Sequence, residues 1–435
     1  MNKFEKILVT LFLIELFVGG GGRIIDFGFL SIRQVFFIGL ILTFIFRIIK
    51  NKAYKDHSVN TFIRWNPVSI GVYVLMGWFF VSAVIGYANG NAPSIIAMDF
   101  LRVAFFAAYF PLAYYVSEER FTKARIIAML KYCAFGVAVF TIVLALLGKT
   151  IFSGNFDAFQ HFWKSIMNDD LLFRRSHSVF YKSHFYVFVG LVLSLNAVLS
   201  KKFGKIDVLN IIFCSISIFW SDTRGFSIAL MVSLLMILII DIKIITDPIK
   251  GFAAKFHSFF NHSQLIKKTI ILLLITISVP FLYQYMTSVR FDPETISDNK
   301  SEFNDPSVNV RLEFMKEAKD TLLNNPNYLI FGTGYGEEIA GRVTGLEMSF
   351  LDILVEQGAI GLAAWLYLCF IVIWNYYKGY KRSSELHTDD ISLIGVFVGV
   401  ILLTNINPFL NNPIGIVFFL LVLIFSQQWK NRDNI

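Results

Sequence analysis

Apolar runs of about twenty residues, the length of helix that crosses the hydrocarbon of a bilayer, recur along this chain from end to end and constrain its fold more than any other feature. They fall at approximately 5–22, 29–48, 67–87, 95–116, 127–148, 183–200, 207–222, 224–241, 269–287, 349–375, 391–408 and 413–428, about twelve in all. A water-soluble fold needs more polar surface than a chain that is 56% hydrophobic and 16% charged can supply. The expectation is an all-α polytopic membrane protein with about twelve transmembrane helices, residues 1–435 forming one transmembrane domain. The first run follows Lys3 and Lys6, as in a signal peptide, but Gly19 to Gly22 offers no small-x-small cleavage site, so it reads as a retained helix.

Basic residues concentrate in alternate connections: 47–64, 118–125, 201–205, 243–268 and 378–382 are rich in Lys and Arg, while 86–94 and 405–412 carry none. Under the positive-inside rule this puts both termini in the cytoplasm and two long segments, 149–182 and 288–348, on the outer face. The net charge of +8 is then a matter of membrane orientation, and nucleic acid is not expected as a partner. Cys133, Cys214 and Cys369 all lie within apolar runs, which leaves no external pair to oxidise and no ligand cluster; neither a metal nor another cofactor is expected.

Ionisable residues in or beside the spans are few, and each costs enough in hydrocarbon to be a functional candidate. Glu15, Arg33, Asp99, Arg102, Asp222 and Arg224 make up the set, and all but Glu15 lie toward one side. Asp99 and Arg102, three apart, can share a helix face and neutralise each other. A guanidinium fork donates two parallel hydrogen bonds to phosphate oxygens and keeps its charge, so arginines gathered at an outer mouth suggest a phosphate-bearing lipid headgroup. Arg33, Arg102, Arg224 and Arg311 are the leading candidates, with Arg174, Arg175 and Arg290 in reserve; headgroup contact without chemistry is the alternative for each.

In the second outer segment, Ser307 or Asn309 can cap a helix ending near Asn324, with Leu312, Met315, Ala318 and Leu322 on one face and Arg311 in its first turn. Gly332-Thr333-Gly334-Tyr335-Gly336 lacks the flanking residues of a phosphate loop and reads as a turn beside the next helix. Glu347 precedes a helix whose Gly358 and Gly361 permit close packing. A carboxylate there can act as a general base, or can simply favour the helix dipole.

The second half resembles the O-antigen ligase and polymerase superfamily, in the order Ser221-Asp222-Thr223-Arg224-Gly225, Asn309-Val310-Arg311, Pro326 through the glycine turn, and Glu347 to Leu362. The resemblance implies a GT-C-like glycosyltransferase, with no metal, working on polyprenyl-diphosphate-linked repeat units at the outer face of the bacterial inner membrane. Ligases usually carry histidine where this chain has Glu347, so the resemblance favours a Wzy-type polymerase. Glu347 would activate the acceptor hydroxyl, and Arg224 and Arg311 would hold the departing diphosphate. His184 and His177 are the alternative base and orienting groups. A chain-length regulator is a further partner of such polymerases. A ligase acting on lipid A-core and a lipid-linked oligosaccharide flippase are the competing expectations.

Overall fold

The computed structural model describes residues 1–22, 30–55, 63–116, 120–168, 170–174, 176–242, 263–290, 306–343, 345–383 and 387–431. The first three helices start where the sequence supplies a cap. Asn2 and Glu5 close a capping box on α1 (Lys3–Val18), Ser31 and Gln34 on α2 (Ile32–Lys50), and Asn66 and Ser69 on α3 (Pro67–Ala88). There follow α4 (Pro93–Ala104), a 3-10 turn at Phe105–Ala108, α5 (Tyr109–Tyr115) and α6 (Lys123–Lys149). After α7 (Phe156–Met167) come β1 (Leu171–Phe173) and β2 (Val179–Tyr181). The remainder is α8 (His184–Leu199), α9 (Lys205–Trp220), α10 (Arg224–Asp241), α11 (Ser263–Arg290), α12 (Pro306–Asn324), α13 (Pro326–Phe331), α14 (Ser349–Ser383), α15 (Thr388–Leu403) and α16 (Pro413–Asn431).

Every one of the twelve apolar runs contains helix. Among the described residues, seven helical stretches are long and apolar enough to cross a membrane: 32–50, 67–88, 93–115, 123–149, 224–241, 263–288 and 349–381. The difference from about twelve lies in length, because α1, α8, α9 and α15 have 16 residues each and the apolar part of α16 runs only over Pro413–Gln428. Such a helix rises only about 24 Å.

Side-chain contacts sort the helix ends into two groups. At one end Glu5 pairs with Arg47 at 2.8 Å, Lys123 with Asp390 at 2.6 Å and Lys131 with Asp207 at 2.7 Å, and Lys268 pairs with Asp241. The other end carries the functional segments. There Gly20 N donates to Ser183 Oγ at 2.8 Å and Gly21 N to Asp170 at 2.6 Å, joining the close of α1 to the start of α8.

The first long segment is more structured than a connection and adds strand to an all-α expectation. Leu171, Leu172 and Phe173 pair antiparallel with Tyr181, Phe180 and Val179. Aromatic and β-branched side chains suit such a ladder, and His177 takes φ 57° in the turn between them. In the second segment α12 is present, but its packed face differs from the expected one. Phe314, Ala318 and Leu322, spaced four apart, are buried with Ile339, Leu346 and Val355, whereas Leu312 and Met315 are exposed.

The glycine turn is a wedge between helices. Gly358 breaks α14 with φ 67°, which frees the carbonyls before it. Thr333 N donates to Val355 O at 2.8 Å, Gly334 N to Glu356 O at 3.1 Å, and Trp78 Nε1 to Gln357 O at 2.7 Å. On the opposite side Tyr335 N donates to Ser82 O of α3 at 3.2 Å. Gly334, at φ 81°, lies so close to Gly86 that a Cβ would collide with its backbone nitrogen. These contacts make the turn a structural joint between α3 and α14.

Candidate active site

Three segments meet where α14 begins. Arg311, in the first turns of α12, donates from Nη2 to Glu347 Oε2 at 3.3 Å and to Ile406 O at 3.0 Å, and from Nη1 to Ser307 O at 3.1 Å. Arg342 donates from Nη2 to Glu347 Oε1 at 3.1 Å and lies 5.5 Å from the Phe314 ring centroid. The two oxygens of Glu347 are thus held by two different guanidinium groups. The backbone beneath is fixed by side chains: Leu346 N donates to Asp352 Oδ1 at 2.8 Å, Ser349 N to Thr404 O at 2.9 Å, and Thr404 Oγ1 to Ser349 Oγ at 2.7 Å. Asn411 Nδ2 donates to Asp352 Oδ2, tying the loop between α15 and α16 into the same network.

A second pair of arginines stands beside this group. Asp222, at φ 48° in the turn between α9 and α10, accepts from Ser176 Oγ at 2.6 Å and from Ser178 Oγ. That link joins the hairpin carrying Arg174 to the helix that begins with Arg224. Arg224 donates to Thr287 Oγ1 at 2.7 Å and lies 4.4 Å from the Tyr283 ring centroid. Burial holds the Arg174 guanidinium below the ordinary arginine value; Asp222 and Glu347 draw it back up, and Arg224 pushes it down. Arg174 therefore lies within range of the charges of Asp222, Glu347 and Arg224. Among the described residues, the Nε atoms of Arg174 and Arg311 are buried without a hydrogen-bond partner, which is donor capacity at the site that none of these residues uses.

The expected donors do not all converge here. Arg33 is 2% exposed and donates to Glu15 Oε2 at 2.8 Å and Gly20 O at 2.9 Å, a bond set internal to α1 and α2. Arg102 contacts Glu356 at 3.0 Å, Asp352 at 3.2 Å and Asp99 at 3.4 Å. Surrounded by three carboxylates, it is committed to internal charge balance rather than to a ligand. It also abuts Gly345, so this cluster shapes the stretch leading to Glu347 from below. His184 is fully buried: Nδ1 meets the Tyr181 backbone at 2.8 and 2.9 Å, and Nε2 lies 3.0 Å from Ser217 Oγ. Both ring nitrogens are engaged within the protein, away from the group around Glu347. His177 packs edge-on to Phe156, the ring centroids 4.1 Å apart. Arg175 and the side chain of Arg290 lie outside the described residues.

Sequence reasoning passed over Arg342, Asp352, Glu356 and Asn411. The signal for two of them was present, since Asp352 and Glu356 stand four apart on an apolar helix. Arg342 sits in a stretch without periodicity and left no such signal.

Two comparisons with known proteins bear on this geometry. A family model described as O-antigen ligase matches residues 209–366, a stretch that contains Arg224, Arg311, Arg342, Glu347, Asp352 and Glu356. A curated relative named O-antigen polymerase, from Shigella flexneri, is 23% identical over 438 residues, which cover 99% of this chain and 97% of the relative.

Proposed function

From a chain that belongs to the O-antigen ligase and polymerase superfamily, we propose an O-antigen polymerase. It transfers a growing glycan from polyprenyl diphosphate to a sugar hydroxyl of another lipid-linked repeat unit. Glu347 takes the proton of the acceptor hydroxyl; the oxygen bonds to the anomeric carbon; and the bond from that carbon to the diphosphate breaks, its electron pair leaving with the diphosphate. Arg311, Arg224 and Arg174 stabilise the charge that develops on the leaving group, the electrostatic task a divalent cation performs elsewhere. Arg290 and Arg175 stay in reserve for the same role. Arg33 and Arg102 are given structural roles instead, and Glu347 is preferred over His184 as base.

The observation that carries this proposal is the gathering of Arg311, Arg342 and Arg174 around Glu347, with Arg224 close to Arg174 and the buried Nε atoms of Arg174 and Arg311 unpartnered among the described residues. Arg224 also opens a helix, where the dipole disfavours a cation unless an anion is near. Polymerase is favoured over ligase because the relative of that name aligns along almost the whole chain and because Glu347 replaces the expected histidine. The ligase alternative keeps one observation, the description of the family model. We further place the site at the outer face of the inner membrane, with both termini cytoplasmic, the helices forming about twelve spans of a GT-C-like architecture. A chain-length regulator is proposed as a partner.

Deleting the gene in its own bacterium and resolving the surface polysaccharide by gel separates the alternatives. A lost polymerase leaves single repeat units on lipid A-core. Polymer stranded on carrier lipid indicates a ligase, and units trapped on the inner leaflet indicate a flippase; either overturns the proposal.

A further inference from the structure

Glu347 fills a place that its own surroundings suit to another anion. Its two oxygens sit between Arg311, at 3.3 Å, and Arg342, at 3.1 Å. A planar guanidinium offers a phosphate oxygen the same hydrogen bonds it offers a carboxylate oxygen. While both pairs are closed, each carboxylate oxygen already accepts from a guanidinium, which competes with a sugar hydroxyl for it. Arg311 is fixed by Ser307 O and Ile406 O, so it cannot follow Glu347 away. Arg342 is braced mainly by Phe314 and is 43% exposed, at the open side of the site.

We propose, resting on the polymerase reading above, that Glu347 holds the place of the carrier diphosphate and that Arg342 is a further donor to it. Arrival of the diphosphate draws Arg311 and Arg342 onto its oxygens and releases the carboxylate. The base is thereby freed only when a donor is bound. An empty site keeps its base paired, and the acceptor hydroxyl is engaged second.

The test is equilibrium binding of inorganic pyrophosphate and of farnesyl diphosphate to the purified full-length protein, in wild type and variants. Glu347→Gln keeps the shape and removes the competing charge, so it should bind pyrophosphate tighter by up to about fivefold, the upper end of what an ion pair of this exposure contributes. Arg342→Ala should bind several-fold weaker, and should still do so in the Glu347→Gln background, where a residue serving only to brace Glu347 would have no effect. Unchanged or weaker binding by Glu347→Gln overturns the placeholder, and unchanged binding by Arg342→Ala overturns the donor. The exposed position of Arg342 lets that arm report even where Glu347→Gln fails to fold. Failure of the diphosphate-site reading on which this rests is distinct: there wild type and Arg311→Ala bind pyrophosphate equally.

Discussion

Arg311 and Arg102 are the same residue type in opposite situations. Arg311 has one carboxylate neighbour, whereas Arg102 has three carboxylates around it. Removing Arg102 leaves buried acid groups without their cation, a loss of about 3–5 kcal/mol. Arg102→Ala should therefore lower the thermal unfolding midpoint and the yield of folded protein in detergent. Arg311→Ala should leave both near wild type while abolishing polymer at equal protein levels. An Arg102→Ala protein as stable as wild type would remove the charge-balance role. The contrast was half legible in the sequence: Asp99 lies three residues from Arg102, but Asp352 and Glu356 lie 250 and 254 residues away. Only the packing of α4 against the start of α14 brings them together. Arg224 and Arg311 were easier to place, because a short turn and a helix start legible in the sequence fix their positions locally, although the helix begins at Pro306 and so takes in the expected caps Ser307 and Asn309.

At the scale of elements, the glycine turn and the break in α14 complete each other's hydrogen bonds. The sequence identified a turn, since the residues expected of a phosphate loop are missing; what it could not show is that the turn's donors serve carbonyls freed at Gly358. Substitution at Gly334 tests this. Gly334→Ala puts a Cβ into the Gly86 backbone in addition to the strain of a left-handed residue, itself about 1–2 kcal/mol. Gly90 has φ 87° but open space around its Cβ position, so Gly90→Ala carries the conformational strain alone. The Gly334 variant should show much the larger fall in unfolding temperature; equal behaviour would mean that α3 and α14 are not joined through this turn. The hairpin at 171–181 was not legible, as six strand residues among helices carry too short a pattern.

The whole molecule divides its charges between two ends of one helical bundle. Lysine-containing pairs such as Lys123 with Asp390 lie at one end, and the arginines around Glu347 lie at the other. Periodicity and basic clusters foreshadowed that division because it follows from the insertion physics of each segment separately. Which arginines converge was beyond them, since convergence depends on long-range contacts. On the proposed reading, this end moves glycan from polyprenyl diphosphate onto a second lipid-linked unit through Arg311 and Glu347. The most direct measurement is polymer formation by the purified protein in nanodiscs supplied with polyprenyl-diphosphate repeat units. Wild type should release one carrier diphosphate per bond formed. Arg311→Ala should be slower by about 10²–10³, and Glu347→Gln by about 10²–10⁴. Polymer formed at the wild-type rate by either variant would contradict the claim.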